Sequence, residues 1–286
     1  MKINKMAKMS FIFALIFSTI FTTNLFAESK KTDANKDKIL NILSTEINRE
    51  FKQLKKVKPP VYFLSYELTE KDVFSLSATL GGLEGQVNTH TTYLDIDVRV
   101  GSRELDNTRK VKALEFNSNN SKEIQVSLEE APLKKLLWLE TENAVKDAQQ
   151  QYLKVVANNK TAAERSDNSD DFSAPLKKAS VYAEDLQPLD FDKLALAKKV
   201  QELSALFKGY DFITSSQVSF NLSQETVYFV NTEKTKLKTT RVLGRLSYYA
   251  IARNKDGMEV ERNKSYDVLD PNDLPSQEEI KEDKKE

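Results

Sequence analysis

The sequence predicts an α+β fold, with antiparallel sheet packed against a few long helices and two helix-then-strands halves. Three observations predict it. Apolar residues recur at threes and fours in three separate stretches, as they do on the buried stripe of an amphipathic helix. Between these stretches lie runs that alternate apolar and polar residues, the period of a strand with one wet face. The two kinds of run are segregated, in the order helix, strands, long helix, linker, helix, strands, which argues against a doubly wound parallel sheet. No residue-level repeat relates the two halves.

The first 27 residues read as a secretory signal. Lys2, Lys5 and Lys8 make a basic start, Met9 to Phe26 an apolar stretch, and Ala27 a small residue suited to cleavage. Ser18, Thr19, Thr22, Thr23 and Asn24 interrupt the apolar stretch, which favours cleavage over a retained anchor. The mature chain is therefore expected in the periplasm or outside the cell, with no membrane attachment after cleavage. A polar lead-in, Glu28 to Ala34, precedes a helix over about Asn35 to Lys55, whose stripe is Ile39, Leu43, Ile47, Phe51 and Leu54. Pro59 and Pro60 stop it.

Strands follow. Tyr62, Leu64, Tyr66 and Leu68 share one face, and Phe74, Leu76, Ala78 and Leu80 share the next, before Gly81, Gly82 and Gly85 break the run. The cleanest alternation is Tyr93 to Val100, with Leu94, Ile96, Val98 and Val100 on one side and Asp95, Asp97 and Arg99 on the other. Asn117 to Ser121 reads as loop. Pro132 then opens a long helix to about Ala163, with Glu129 and Glu130 at its positive end and Leu133, Leu137, Val145, Ala148, Tyr152 and Val156 as its stripe. Residues 166–175 form a polar linker and a candidate sub-boundary. Asp190 is expected to cap a helix to Phe207, with Leu194, Ala197, Val200, Leu203 and Phe207 inward and Gly209 at its end. Val218 to Leu222, Val227 to Val230 and Val242 to Arg253 complete the second strand set, and Asp256-Gly257 turns into Met258 to Asp267. The domain is thus expected to span residues 28–275, and 276–286 to be a solvated, disordered charged tail.

Composition narrows the chemistry. Among 286 residues there is one histidine, His90, and no cysteine. An ordinary zinc site needs three or four protein ligands, so none can be built from His and Cys here. There is no Cys nucleophile, and any Ser–His pair must use His90. Lys plus Arg and Asp plus Glu both number 43, so no global field attracts nucleic acid or anionic lipid. Without disulfides the fold must be held by packing.

Each local constellation reads structurally. Asp95 and Asp97 are the wet face of a strand, since a calcium ion wants six or more oxygens. His90 lies between threonines, with no Glu after it and no second His a helical turn away. Gly81-Gly82-Leu83-Glu84-Gly85 lacks the ending of a phosphate loop and reads as a turn. Lys234, Lys236, Lys238, Arg241 and Arg245 beside Tyr228, Phe229, Tyr248 and Tyr249 read as a solvated or edge strand guarded by charge. Asp106-Asn107-Thr108 is a polar turn that by itself carries no chemistry.

Taken together, several of these stretches carry a family resemblance. They are Tyr62-Phe63-Leu64-Ser65-Tyr66, Ser75 to Gly81, and Asp97-Val98-Arg99-Val100-Gly101-Ser102 with Leu105-Asp106-Asn107-Thr108. The series continues through Leu137-Trp138-Leu139, Asp170-Asp171-Phe172-Ser173, Leu203 to Phe207, and Phe229-Val230-Asn231-Thr232-Glu233-Lys234-Thr235. In this order they resemble the N-terminal half of exported TldD/PmbA-type proteins, a family described as metallopeptidases and also called modulators of DNA gyrase. The resemblance implies a metal site on a His-Glu-x-x-x-His helix in the other half of the protein, beyond the counterpart of Leu274-Pro275-Ser276. No position here matches those ligands, so no catalytic, cofactor-binding or metal residue is carried over, and no cofactor is expected. The resemblance further implies a role in substrate enclosure or subunit pairing. The partner would be a separately encoded catalytic half or a TldD/PmbA-type subunit, with a peptide as substrate. A free-standing binding or scaffold module, and an enzyme working through carboxylates alone, are the alternatives.

Overall fold

The computed structural model describes residues 29–110, 121–161, 169–175 and 178–282. The signal segment, Asn117 to Asn120 of the loop expected over Asn117 to Ser121, residues 166–168 of the linker and the end of the tail lie outside them. Among the described residues no helix is long and apolar enough to cross a membrane.

The fold is α+β, and one eight-stranded sheet carries it. β1 (Ser29–Lys31) precedes α1 (Lys38–Leu54), and β2 (Val61–Thr79) and β3 (Gly82–Val100) form a long hairpin. β4 (Lys122–Ile124) leads into α2 (Glu130–Thr161), and β5 (Val181–Leu186) into α3 (Lys193–Ala205). β6 (Ile213–Asn231) and β7 (Lys236–Arg253) form the second long hairpin, followed by β8 (Glu259–Val268) and the short α4 (Gln277–Glu282). The strand order is β1-β5-β7-β6-β2-β3-β4, and β8 also pairs with β7.

The two helix-plus-hairpin units meet where β2 pairs antiparallel with β6. Both strands are 19 residues long, and Asp72 faces Gln224 near their middles. What the periodicity presents as two short strands, 62–68 and 74–80, is thus one. The runs at 218–222 and 227–230 merge in the same way, because a long hairpin needs no turn where its core is interrupted.

That interruption is polar. From Leu64 to Ala78 the even-numbered residues of β2 point toward the helices. Leu64, Tyr66 and Leu68 join a core with α1 and α2, and Phe74, Leu76 and Ala78 join a second core with α3. Between them a row of polar side chains crosses the same face. Glu70 pairs with Thr92 and Thr226, and Asp72 with His90 and Gln224. Among the described residues the opposite face has no helix over it. There Glu225 is buried between Lys71 (2.9 Å) and Arg241 (2.5 Å).

Four details differ from the sequence expectation. The antiparallel rule fails at one place, since β5 pairs parallel with β7 over Val181–Ala183. β7 is interior, flanked by β6 on one side and by β5 and β8 on the other, so its lysines guard no edge. Lys238 instead ties Asp37 of the α1 cap (3.0 Å) to Asp185. α3 is capped by Asp192, whose carboxylate accepts from Leu194 N (2.8 Å) and Ala195 N (3.2 Å), rather than by Asp190. Ala197, Val200, Leu203 and Phe207 are buried as expected, but Leu194 falls in the exposed first turn and Leu196 is buried in its place. Finally, the charged tail begins as a helix, with Ile280 buried in the second core.

Candidate functional site

The densest polar network lies at the end of the sheet where β2 begins and β3 ends. Gly101 starts it. Its N–H donates to Pro60 O (3.0 Å), and at φ 110° it turns the chain so that Asp106 bridges back to it. Asn107 then acts as a false neighbouring strand. Its Oδ1 accepts from Val100 N (2.7 Å) and its Nδ2 donates to Val98 O (3.1 Å), satisfying backbone groups on the outer side of β3.

Asp106 is wholly buried, which a carboxylate tolerates only with several donors. It has them. Tyr62 Oη (2.6 Å) and Arg99 Nη1 (3.3 Å) donate to one oxygen, and Thr108 N and Oγ1 (both 2.7 Å) donate to the other. Arg99 also pairs with Asp97 (3.2 Å) and lies over the ring of Phe172 at 4.1 Å. Phe172 comes from the linker. Its ring packs on Phe63 (5.0 Å) and Tyr62 (6.2 Å), and Arg103 covers it at 5.1 Å. Arg103 reaches further, to Glu233 in the β6–β7 turn. That turn is held by Asn231 Oδ1, which accepts from Glu233 N (3.0 Å) and Thr235 N (2.9 Å), and Thr232 N donates to Leu64 O (3.0 Å).

The electrostatics favour permanent charge. Burial works to lower the Arg99 pKa, but the carboxylates of Asp97 and Asp106 outweigh it and leave it raised. Burial and the Asp106 hydrogen bond push the Tyr62 hydroxyl well above its ordinary value, so it stays a proton donor. Such a cluster can bind, orient and hold segments together.

The residues weighed from the sequence fall elsewhere. His90 Nδ1 meets Asp72 Oδ1 at 2.8 Å, with both side chains mostly exposed. Among the described residues no three His, Cys, Asp or Glu side chains are grouped to hold a metal ion. Asp95 and Asp97 stand on the uncovered face. Glu67 pairs opposite Asp95, and burial, then the neighbouring carboxylate, raises the pKa of both Glu67 and Asp95. Gly81 and Leu80 form the β2–β3 turn, and Gly81 N donates to Ser204 Oγ (2.8 Å). Asp106, Asn107, Asp171 and Phe172, bland as isolated residues, prove central. Their only sequence signal was membership of the ordered family segments.

No family model matches the chain, and no curated protein matches it. Several solved structures are similar in fold, among them the following. A candidate modulator of DNA gyrase from Thermotoga maritima MSB8 is 16% identical at a TM-score of 0.45, over 82% of this chain and 45% of its own. Another from Bacteroides thetaiotaomicron is 13% identical at 0.49, over 86% and 47%. TldE from Thermococcus kodakarensis is 10% identical at 0.42, over 81% and 44%. The chain spans less than half the length of each.

Proposed function

We propose that this chain is a non-catalytic domain of a TldD/PmbA-like metallopeptidase, acting in substrate enclosure or subunit pairing rather than in bond cleavage. One observation carries the reading. The segments that resemble the family are scattered between Tyr62 and Thr235, yet four of them, around Tyr62, Arg99 to Thr108, Asp171-Phe172 and Asn231 to Thr235, interlock in one network. Chance likenesses would have no reason to meet in space. Export to the periplasm belongs to the same proposal and rests on the basic and apolar N-terminus.

The experiment is metal analysis and a peptidase assay on the purified chain, alone and mixed with a His-Glu-x-x-x-His-bearing partner. The expected result is no zinc and no hydrolysis by the chain alone, with activity or substrate range changed in the mixture. Stoichiometric zinc, or hydrolysis abolished by a chelator, would sink the reading. N-terminal sequencing of protein recovered from the periplasm tests export, with Glu28 expected first.

A free-standing binding or scaffold module is the second reading. It is favoured by the single continuous sheet, whose two cores are both closed by helices of this same chain. Light scattering and a hydrophobic dye separate the two. A domain missing its mate should bind dye and aggregate, whereas a module should be monodisperse.

A further inference from the structure

Residues 169–173 lie on the body of the domain as a bound peptide would. Phe172 N donates to Arg103 O (3.0 Å), so the segment is held by its backbone as well as by its side chains. The Phe172 ring fills a slot walled by Tyr62 and Phe63 and covered by the guanidinium groups of Arg99 and Arg103. One residue earlier, the Asp171 carboxylate accepts from Asp106 N (2.8 Å) and Arg109 Nε (2.6 Å), a backbone amide and a guanidinium converging as in an anion site. One residue later, Ser173 O accepts from Arg103.

The receiving side is built without the segment. Tyr62 donates to Asp106, Arg99 pairs with Asp97 and Asp106, Arg103 pairs with Glu233, and Asn107 is fixed to Val98 and Val100. None of these bonds needs residues 169–173. The slot would therefore keep its walls if the segment left, which is the condition for a reusable site. In the anion site, Arg109 Nη2 bonds both Ser169 O of the segment (3.1 Å) and Glu104 O of the body (3.4 Å). What they read is also not particular to this stretch: a carboxylate followed directly by an aromatic side chain.

We infer that this cleft is a binding site for a carboxylate-aromatic segment of another polypeptide, and that residues 169–173 occupy it in cis as a competitor. A tethered occupant sits at high effective concentration, so a free peptide meets a cleft that is open only a fraction of the time. The inference is independent of whether the chain pairs with a catalytic half.

The test uses a fluorescein-labelled peptide copying residues 168–174, titrated by anisotropy into the full chain. The wild-type chain should bind it weakly. The Asp171→Asn, Phe172→Ala double variant, shown to melt cooperatively, should bind about tenfold more tightly or better. Adding Arg103→Ala should remove the gain, and a peptide with Asn and Ala at the matching positions should not bind. A folded double variant that binds no better than wild type overturns the inference. Should that variant not fold, Asp171→Asn alone is nearly isosteric and leaves the ring packed. It should still raise affinity about threefold by weakening the tethered competitor, and no gain there overturns the inference equally. A wild-type chain that proves to be a dimer, lost in the double variant, would mean that the segment serves exchange between copies and would also overturn it.

Discussion

α1 and α3 both lie on the paired strands β2 and β6, α1 toward the β6–β7 turn and α3 toward the β2–β3 turn, yet the two ends of the sheet are closed by different forces. The core beneath α3 is mainly apolar, gathering Phe74, Val200, Leu203, Phe207 and Phe220, with Phe191 tilted against Phe74 at 5.8 Å and the buried Ser204 bonded to the backbone. The core beneath α1 and α2 admits polar groups. Tyr66 is fully buried and shares a hydrogen bond with Thr141 (2.8 Å), and Glu46 and Glu50 are buried beside Arg49. The hairpin turns differ in the same sense. Leu80-Gly81 is a tight turn tied to one serine hydroxyl, whereas Asn231 to Lys236 is a network joined to Leu64 and Arg103. Packing alone suffices where only side chains need covering. Hydrogen-bonded side chains are needed where strand ends and a linker leave backbone groups to satisfy.

Four changes would break or sharpen this comparison. Phe220→Ala should have the largest effect, removing a fully buried ring from the apolar core at about 3–5 kcal/mol. Urea denaturation measures it, and a loss under about 1 kcal/mol would mean that core is loosely packed. Next is Gly101→Ala. A Cβ there would stand 2.4 Å from Tyr152 Cε2 and 2.6 Å from Leu105 O, at φ 110°, so about 3 kcal/mol should be lost. Gly257→Ala, at φ 83° with nothing near its Cβ, should cost only about 1 kcal/mol in parallel thermal melts.

Tyr66→Phe comes third. It leaves the Thr141 hydroxyl buried without its partner, at about 1–3 kcal/mol. Valine at position 141 in the same background should restore part of the loss, because both polar groups are then gone.

The smallest effect is with pH, and its sign differs between carboxylates of the uncovered face. Burial raises Glu67 and Asp95 in the folded chain, so their penalty is present at neutral pH and is relieved as pH falls through values just above the ordinary carboxylate range. Burial also works upward on Glu225, but hydrogen bonds from Lys71 and Arg241 outweigh it and hold its pKa below the ordinary 4.5. Its contribution is therefore present above 4.5 and lost as pH falls through the folded value. Melts from pH 7 downward should show a slight gain before the acid loss. Asp95→Asn should flatten the gain and leave the loss, while Glu225→Gln should weaken the loss.

Much of the architecture was legible locally. The stripe Leu43 and Ile47, the alternation Leu94 to Val100, and the Asp256-Gly257 turn all appear where the periodicity places them. The linker was also legible as polar, but its role was not. Asp171 and Phe172 read as loop because their partners, Asp106, Arg109, Tyr62, Phe63, Arg99 and Arg103, lie far away along the chain. The lysines of β7 misled for the same reason. Whether a strand is an edge depends on its neighbours, and Lys238 is held by residues from α1 and β5.

The sequence by itself determined the periodicities, the helix caps to within two residues, the neutral charge, and the lack of any set of His and Cys ligands. These are properties of residues close together in the chain, where covalent spacing decides which side chains share a face. Only the tertiary structure decided that β2 and β6 pair at the centre, that two cores share one face across a polar row, and that the linker is seated at the end of the sheet. Those arrangements join segments far apart in sequence, and no local spacing records which distant backbone edge or buried carboxylate a residue will satisfy.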